Sequence, residues 1–343
     1  MYAPTLRELF TYSDWAREKL FAMAAALSDD RLDRAFEMGP GSIRNTLHHL
    51  WAAEKLWLER WTAGGQPKFV FPEAGLPPAV LLDRARSTAG ERDAFLARQG
   101  ESDLARPLAF TNLKGESFRL PLGGQMLHVC NHGIHHRAQV TNMLRRVGGT
   151  LPQRGLDYIF YRLEIGSDPA PVLGLAVIRR YQNYADWGTR KLLAIAAGLP
   201  DVQLDRPFEM GMGTLRKTFC HLLGAETWWQ ANWTAGPAGE FPAADEPASI
   251  ADLSRRFDDA WAARDRFVAR LEDGELARPV TVRPRPDLTL QFPLGVSLMQ
   301  LCGHATHHRA QAMNMLRHAG VEPPGLDLIL WLREQAPSPG EDA

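Results

Sequence analysis

The amino-acid sequence predicts an all-α protein of two tandem four-helix bundles, each with a short hairpin or extended crossover between its third and fourth helices. Three observations predict it. The chain repeats itself at a shift of 172 residues. Each repeat carries four long runs of apolar residues spaced three and four apart. One longer connection, with alternating rather than helical periodicity, separates the last two runs.

The repeat is read directly from paired segments. Residues 41–64 (GSIRNTLHHLWAAEKLWLERWTAG) fall on 213–236 (GTLRKTFCHLLGAETWWQANWTAG), with 12 of 24 positions identical. Residues 121–146 (PLGGQMLHVCNHGIHHRAQVTNMLRR) fall on 293–318 (PLGVSLMQLCGHATHHRAQAMNMLRH), with 14 of 26 identical. YSDW at 12–15 meets YADW at 184–187, and FEMG at 36–39 meets FEMG at 208–211. Past Gly148 the second copy loses two residues, so GLD at 155–157 answers GLD at 325–327. A unit of about 165 residues is too long for a solenoid repeat and right for a whole domain. We expect domains over 1–166 and 175–336, with a linker over 167–174 in the Gly- and Pro-rich stretch GSDPAPVLG.

The elements follow in order. Leu6, Leu9, Ser13, Ala16, Leu20, Met23 and Leu27 mark a long opening helix, and Ile178, Tyr181, Ala185, Gly188, Leu192, Ile195 and Leu199 mark its counterpart. A second helix starts after Ser42 or Thr214, both good N-caps, and ends at TAG. A third covers about 79–98, its stripe clearest in Ile250, Leu253, Phe257 and Trp261 of the second copy. The fourth runs from near Gly123 and Gly295 to Gly148 and Gly320, and a short helix follows GLD. Between helices three and four, RPLAFTNLKGESFRLPLG and RPVTVRPRPDLTLQFPLG alternate around a turn. Two such bundles mimic a two-fold homodimer, so the expected state is a monomer acting as a pseudo-dimer, or a homodimer.

Composition narrows the function classes. A net charge of −1 gives no basic stripe for nucleic acid or anionic lipid. Mean hydropathy is −0.27 and no 18-residue apolar run exists, so no membrane span is expected. Three cysteines are too few for a disulfide framework, and the N-terminal stretch does not read as a signal peptide, so a cytoplasmic location is expected. No HExxH, Glu-x-x-His, GxxxxGK[ST] or GxSxG occurs, which argues against zincin, ferritin-like, P-loop and α/β-hydrolase chemistry.

The chemistry concentrates in the histidines. His132 and His136 are four apart on one helix, as are His304 and His308, so each pair presents two imidazoles to one point. A third imidazole from the second helix, His49 or His221, would complete a three-His site. Three neutral nitrogens with open coordination positions make a catalytic-type geometry rather than a closed structural one. Such ligands suit Zn, Ni, Fe or Cu. His128, His132, His135 and Gln139 also form a polar stripe on a helix that a bundle must bury, and an unpartnered buried polar group costs about 1–3 kcal/mol. A metal turns that cost into binding energy. The competing reading is of core histidines satisfied by ordinary hydrogen bonds. His48 and His128 have no second-copy histidine; Cys220 and Gln300 stand there.

SIRNTLHHLWAAEKLWLER followed by NHGIHHRAQVTNMLR resembles the DinB/YfiT-like family of metalloenzymes, and the resemblance covers both repeats. It implies a four-helix bundle whose ligands are His49, His132 and His136 in the first copy and His221, His304 and His308 in the second. It also implies a divalent transition metal (Zn, Ni or Fe) and a low-molecular-weight thiol cosubstrate. The implied activity is a thiol-dependent transferase, or a related hydrolase or isomerase, acting on a small electrophilic molecule. The alternatives are a non-catalytic metal- or ligand-binding stress-response protein and a scaffold whose histidines only hold the bundle.

Other residues carry two readings each. Glu54 and Glu226 are candidate catalytic carboxylates, orienting a ligand His or serving as a base, against a buried ion pair with an Arg such as Arg137 or Arg309. Gln139 and Gln311 face the same side as the histidine pairs, for a hydrogen-bonding role in the pocket or a structural one. Tyr12, Trp15, Tyr184, Trp187, Trp57, Trp61, Trp229 and Trp233 read as core. Cys130 and Cys302 read as packing, since two residues turn a helix by about 200° away from the ligand position, and Cys220, which adjoins His221, reads the same way.

Overall fold

The computed structural model describes residues 2–63, 67–112, 115–151, 155–166, 172–244 and 248–335. Its helices are α1 (Tyr2–Ala25), α2 (Asp29–Leu32), α3 (Ile43–Ala63), α4 (Pro78–Leu96), α5 (Glu101–Ala105), α6 (Leu122–Arg146) and α7 (Tyr158–Ile165). They continue as α8 (Leu175–Ala196), α9 (Asp201–Leu204), α10 (Leu215–Thr234), α11 (Ile250–Val268), α12 (Leu294–His318) and α13 (Leu328–Glu334). The long helices of each copy form a four-helix bundle: α1, α3, α4 and α6 in one, α8, α10, α11 and α12 in the other. The crossover is a hairpin in both. β1 (Pro107–Thr111) pairs antiparallel with β2 (Ser117–Pro121), and β3 (Pro279–Arg285) with β4 (Leu288–Pro293).

Local chemistry explains the boundaries. The amide of Asn45 donates to Ser42 Oγ at 3.1 Å, and that of Lys217 to Thr214 Oγ1 at 3.1 Å, so each cap satisfies one of the unpaired N–H groups of α3 and α10. Leu6, Leu9, Ala16 and Leu20 of α1 are buried, as the apolar spacing predicts. On the hairpins the buried residues are Phe110 and Leu120, then Val280, Val282 and Phe292. Burying such side chains stabilises by about 1.5–3 kcal/mol each. Among the described residues no helix is long and apolar enough to cross a membrane.

The compact units do not follow the expected boundaries of 1–166 and 175–336. One unit holds residues 2–151 together with 325–335, and the other holds residues 155–324. Helix α7, from the end of the first repeat, packs on α12, and α13, from the end of the second, packs on α6. The physical cause is local. Gly124 leaves space on α6, where a Cβ would come within 2.9 Å of Leu332 Cδ1, and Leu328, Trp331 and Leu332 are buried there. On the other unit, Gln300 of α12 accepts from the Ile159 amide at 3.0 Å and donates to Asp157 Oδ2 at 3.0 Å, pinning the start of α7. Of the expected linker, residues 167–171 lie outside the described residues, while Leu173 is buried.

Candidate metal centres

Helices α3 and α6 bring His49, His132 and His136 together, and α10 and α12 do the same with His221, His304 and His308. In each group one nitrogen per ring lies within 4.8 Å of the others. His49 Nε2 is 3.2 Å from His132 Nε2, and His221 Nε2 is 3.0 Å from His304 Nε2. Two nitrogens held about 2.0–2.1 Å from one tetrahedral ion would lie about 3.3 Å apart, so the spacing fits a shared cation. His49 and His221 are only partly buried, so each group lies toward the surface rather than in the centre of its bundle.

The protonation states suit that role. Burial pushes all six imidazoles below the ordinary histidine range, and repulsion among neighbouring rings adds to it. His221 falls to about 4 and His304 to about 3. Neutral rings at neutral pH offer lone pairs without first losing a proton. Gln139 fixes one ring. Its Oε1 lies 2.7 Å from His136 Nδ1 and its Nε2 lies 3.0 Å from His135 Nε2. Gln311 repeats this on His308 Nδ1 at 2.8 Å and His307 Nε2 at 3.0 Å. With Nδ1–H donated to the amide oxygen, Nε2 carries the lone pair.

Two supports of these centres have no counterpart in the sequence reading above. Gly39, at φ +51°, and Gly211, at φ +54°, lie against the glutamines. A Cβ there would sit 2.3 Å from Gln139 Oε1 and 2.6 Å from Gln311 Oε1. The identical FEMG segments were the visible trace of this. Phe69 stacks at a tilt 5.7 Å from His49, and Phe241 at 5.3 Å from His221. Their exact 172-residue offset, within an otherwise unmatched loop, was the available signal.

Neither carboxylate belongs to a three-His group. Glu54 pairs with Arg92 and with Arg17 at 3.3 Å, and Glu226 pairs with Arg264 at 3.1 Å. The expected partners Arg137 and Arg309 are elsewhere: they lie over the Tyr12 and Tyr184 rings at 5.0 and 4.9 Å. The reason is reach across the bundle, since Arg92 and Arg264 project from α4 and α11 into the same buried layer. Glu54 and His132 do line one small cavity with Arg17, Arg137, Ser13 and Cys130. His48 is outside the site, edge-on to Trp51 at 5.2 Å. Trp61 donates to Gln125 and Trp233 to Ser297, so these indoles serve the core. The three cysteines are buried, and burial pushes the Cys130 and Cys302 thiols up.

Comparison with known proteins agrees with this architecture. Protein DinB of Bacillus subtilis (strain 168) is 24% identical over 156 residues, covering 41% of this chain and 85% of that protein. A model of the DinB family matches twice, over residues 1–163 and 176–341. With the family pattern matched across both repeats, the chain belongs to the DinB family, as a tandem duplication within one polypeptide.

Proposed function

We propose that this DinB-family protein is a metal-dependent enzyme that joins a low-molecular-weight thiol, or water, to a small electrophilic molecule. The observation that supports it most is the pair of three-nitrogen groups, each neutral and gathered within 4.8 Å. His49, His132 and His136 would hold one divalent ion, of zinc, nickel or iron type, and His221, His304 and His308 a second. Such an ion supplies the Lewis acidity that makes a thiol or water nucleophilic near neutral pH. The chain's own groups do the rest. Gln139 and Gln311 hold the His136 and His308 rings in one orientation. Phe69 and Phe241 give the approach an apolar wall suited to an uncharged substrate. Small molecules in the cytoplasm are the partners this reading calls for.

One observation favours a second reading, of a non-catalytic metal- or ligand-binding protein. Glu54 and Glu226 are both tied to arginines, which leaves neither free to act as a base. Elemental analysis of purified protein, followed by turnover assays with thiol and electrophile pairs, separates the two. The enzyme reading expects two metal equivalents per chain, one lost in His132→Ala, the other in His304→Ala, and both metal and turnover lost in the double variant. Stoichiometric metal without turnover would favour the binding protein. Full activity after chelation would overturn the metal mechanism.

A further inference from the structure

Each three-His group carries no charge of its own, so a dication held there needs compensation from nearby. The swapped helices bring a carboxylate to that place. Asp157 and Asp327 occupy the N-cap positions of α7 and α13, where an Asp side chain ordinarily accepts from the helix's first amides. Neither does so here. The Asp157 carboxylate instead accepts from Gln300 Nε2 at 3.0 Å. Gln300 lies one turn before His304 on α12, so it shares the face that presents His304 and His308. Through this contact the carboxylate is anchored one turn from His304, on the helix that presents two of the three imidazoles. In the other unit Asp327 holds the matching N-cap of α13, which packs on α6, the helix that carries His128 where the second copy has Gln300.

We infer that each three-His centre is completed by a carboxylate lent by the opposite repeat: Asp157 of the first repeat serves His221, His304 and His308, and Asp327 of the second serves His49, His132 and His136. These aspartates are positioning residues that balance the cation's charge and accept a hydrogen bond from what enters beside it. The inference rests on the metal reading of the centres. Asp157 is half-buried and pinned, whereas Asp327 is exposed, so Asp157 has the larger effect. This also gives the exchange of His128 for Gln300 a meaning. The second copy keeps a polar group that faces the aspartate, and uses it to anchor α7.

The test uses the full chain with one centre removed at a time and Co(II) alone as the probe, read by its visible absorption. In the background His132→Ala with His136→Ala, Asp157→Asn is expected to weaken Co(II) binding by about tenfold or more and to shift the spectrum, while Asp327→Asn changes neither. In the background His304→Ala with His308→Ala the pattern reverses, with a smaller change. Asp157→Glu restores part of the affinity. Thermal unfolding of each variant shows whether the fold is kept; the Asn amide preserves the contact with Gln300. Asn variants that bind Co(II) as tightly as their parents, or that act on the centre of their own repeat, overturn the inference and leave the metal reading standing. A wild-type chain that takes up no Co(II) overturns both.

Discussion

The two copies agree at the histidines and part company one layer below them. The Nε2 separations differ by only 0.2 Å, at 3.2 and 3.0 Å. Beneath, the first copy sets two arginines, Arg17 and Arg92, against Asp14 and Glu54. In the second copy Thr189 replaces Arg17, and Arg264 alone faces Asp186 and Glu226. Gln230 adds a neutral donor to Glu226 at 3.1 Å. Two carboxylates sharing one buried arginine cannot both ionise cheaply. Burial, with Asp186 adding to it and Arg264 opposing it, raises Glu226 to about 7. The histidine geometry is thus kept between the copies, while the charge layer beneath it is rebuilt with its sum near neutral.

The largest expected effect breaks that layer. Arg264→Ala leaves Asp186 and Glu226 buried without a cation and is expected to destabilise its unit by about 3–5 kcal/mol. Arg92→Ala should cost less, because Arg17 remains beside Asp14 and Glu54. Urea unfolding followed by unit-resolved hydrogen exchange measures both; equal losses would erase the contrast between the copies.

A smaller effect reads the contrast through pH. Glu226 binds its proton more tightly folded than unfolded, so its contribution is fully present below about pH 4.5 and is lost as pH rises through about 7. Across that window the second unit loses about 3 kcal/mol from this group. Glu226→Gln should flatten the slope. Thr189→Arg, which recreates the first copy's pairing, should flatten it too by lowering the pKa of Glu226. An unchanged slope in both variants would show that another group titrates.

The smallest effect sharpens the similarity. Ala at Gly39 or Gly211 must adopt positive φ and press on Gln139 or Gln311, at a cost of about 1–2 kcal/mol. It should also free the His136 or His308 ring and weaken Co(II) binding at that centre alone. Calorimetry with Co(II) checks both copies in parallel.

The bundle and the histidine groups were legible because both rest on short-range periodicity. His132 and His136 share a helix face at any tertiary arrangement, and a second copy in the same register repeats the evidence. The partner of Glu54 was not legible. Arg92 lies 38 residues away on another helix, and no period links such a pair, whereas Arg137 only adjoins His136 in sequence. The helix exchange was hidden for a related reason. Self-similarity shows which residues correspond, not which copy of a surface a short helix covers, and α7 and α13 would fit either by pattern alone. Gly39 and Gly211 were visible as repeated letters but not as a steric requirement, because their closeness to glutamine arises only when the chain folds back.

The exchanged helices also set an order of assembly during synthesis. Residues 2–151 are made well before residues 325–335, yet their bundle lacks Leu328, Trp331 and Leu332 until the second repeat has been made. The earlier-made body is thus the later one to be finished, and its uncovered α6 surface needs protection for the time taken to translate the second repeat.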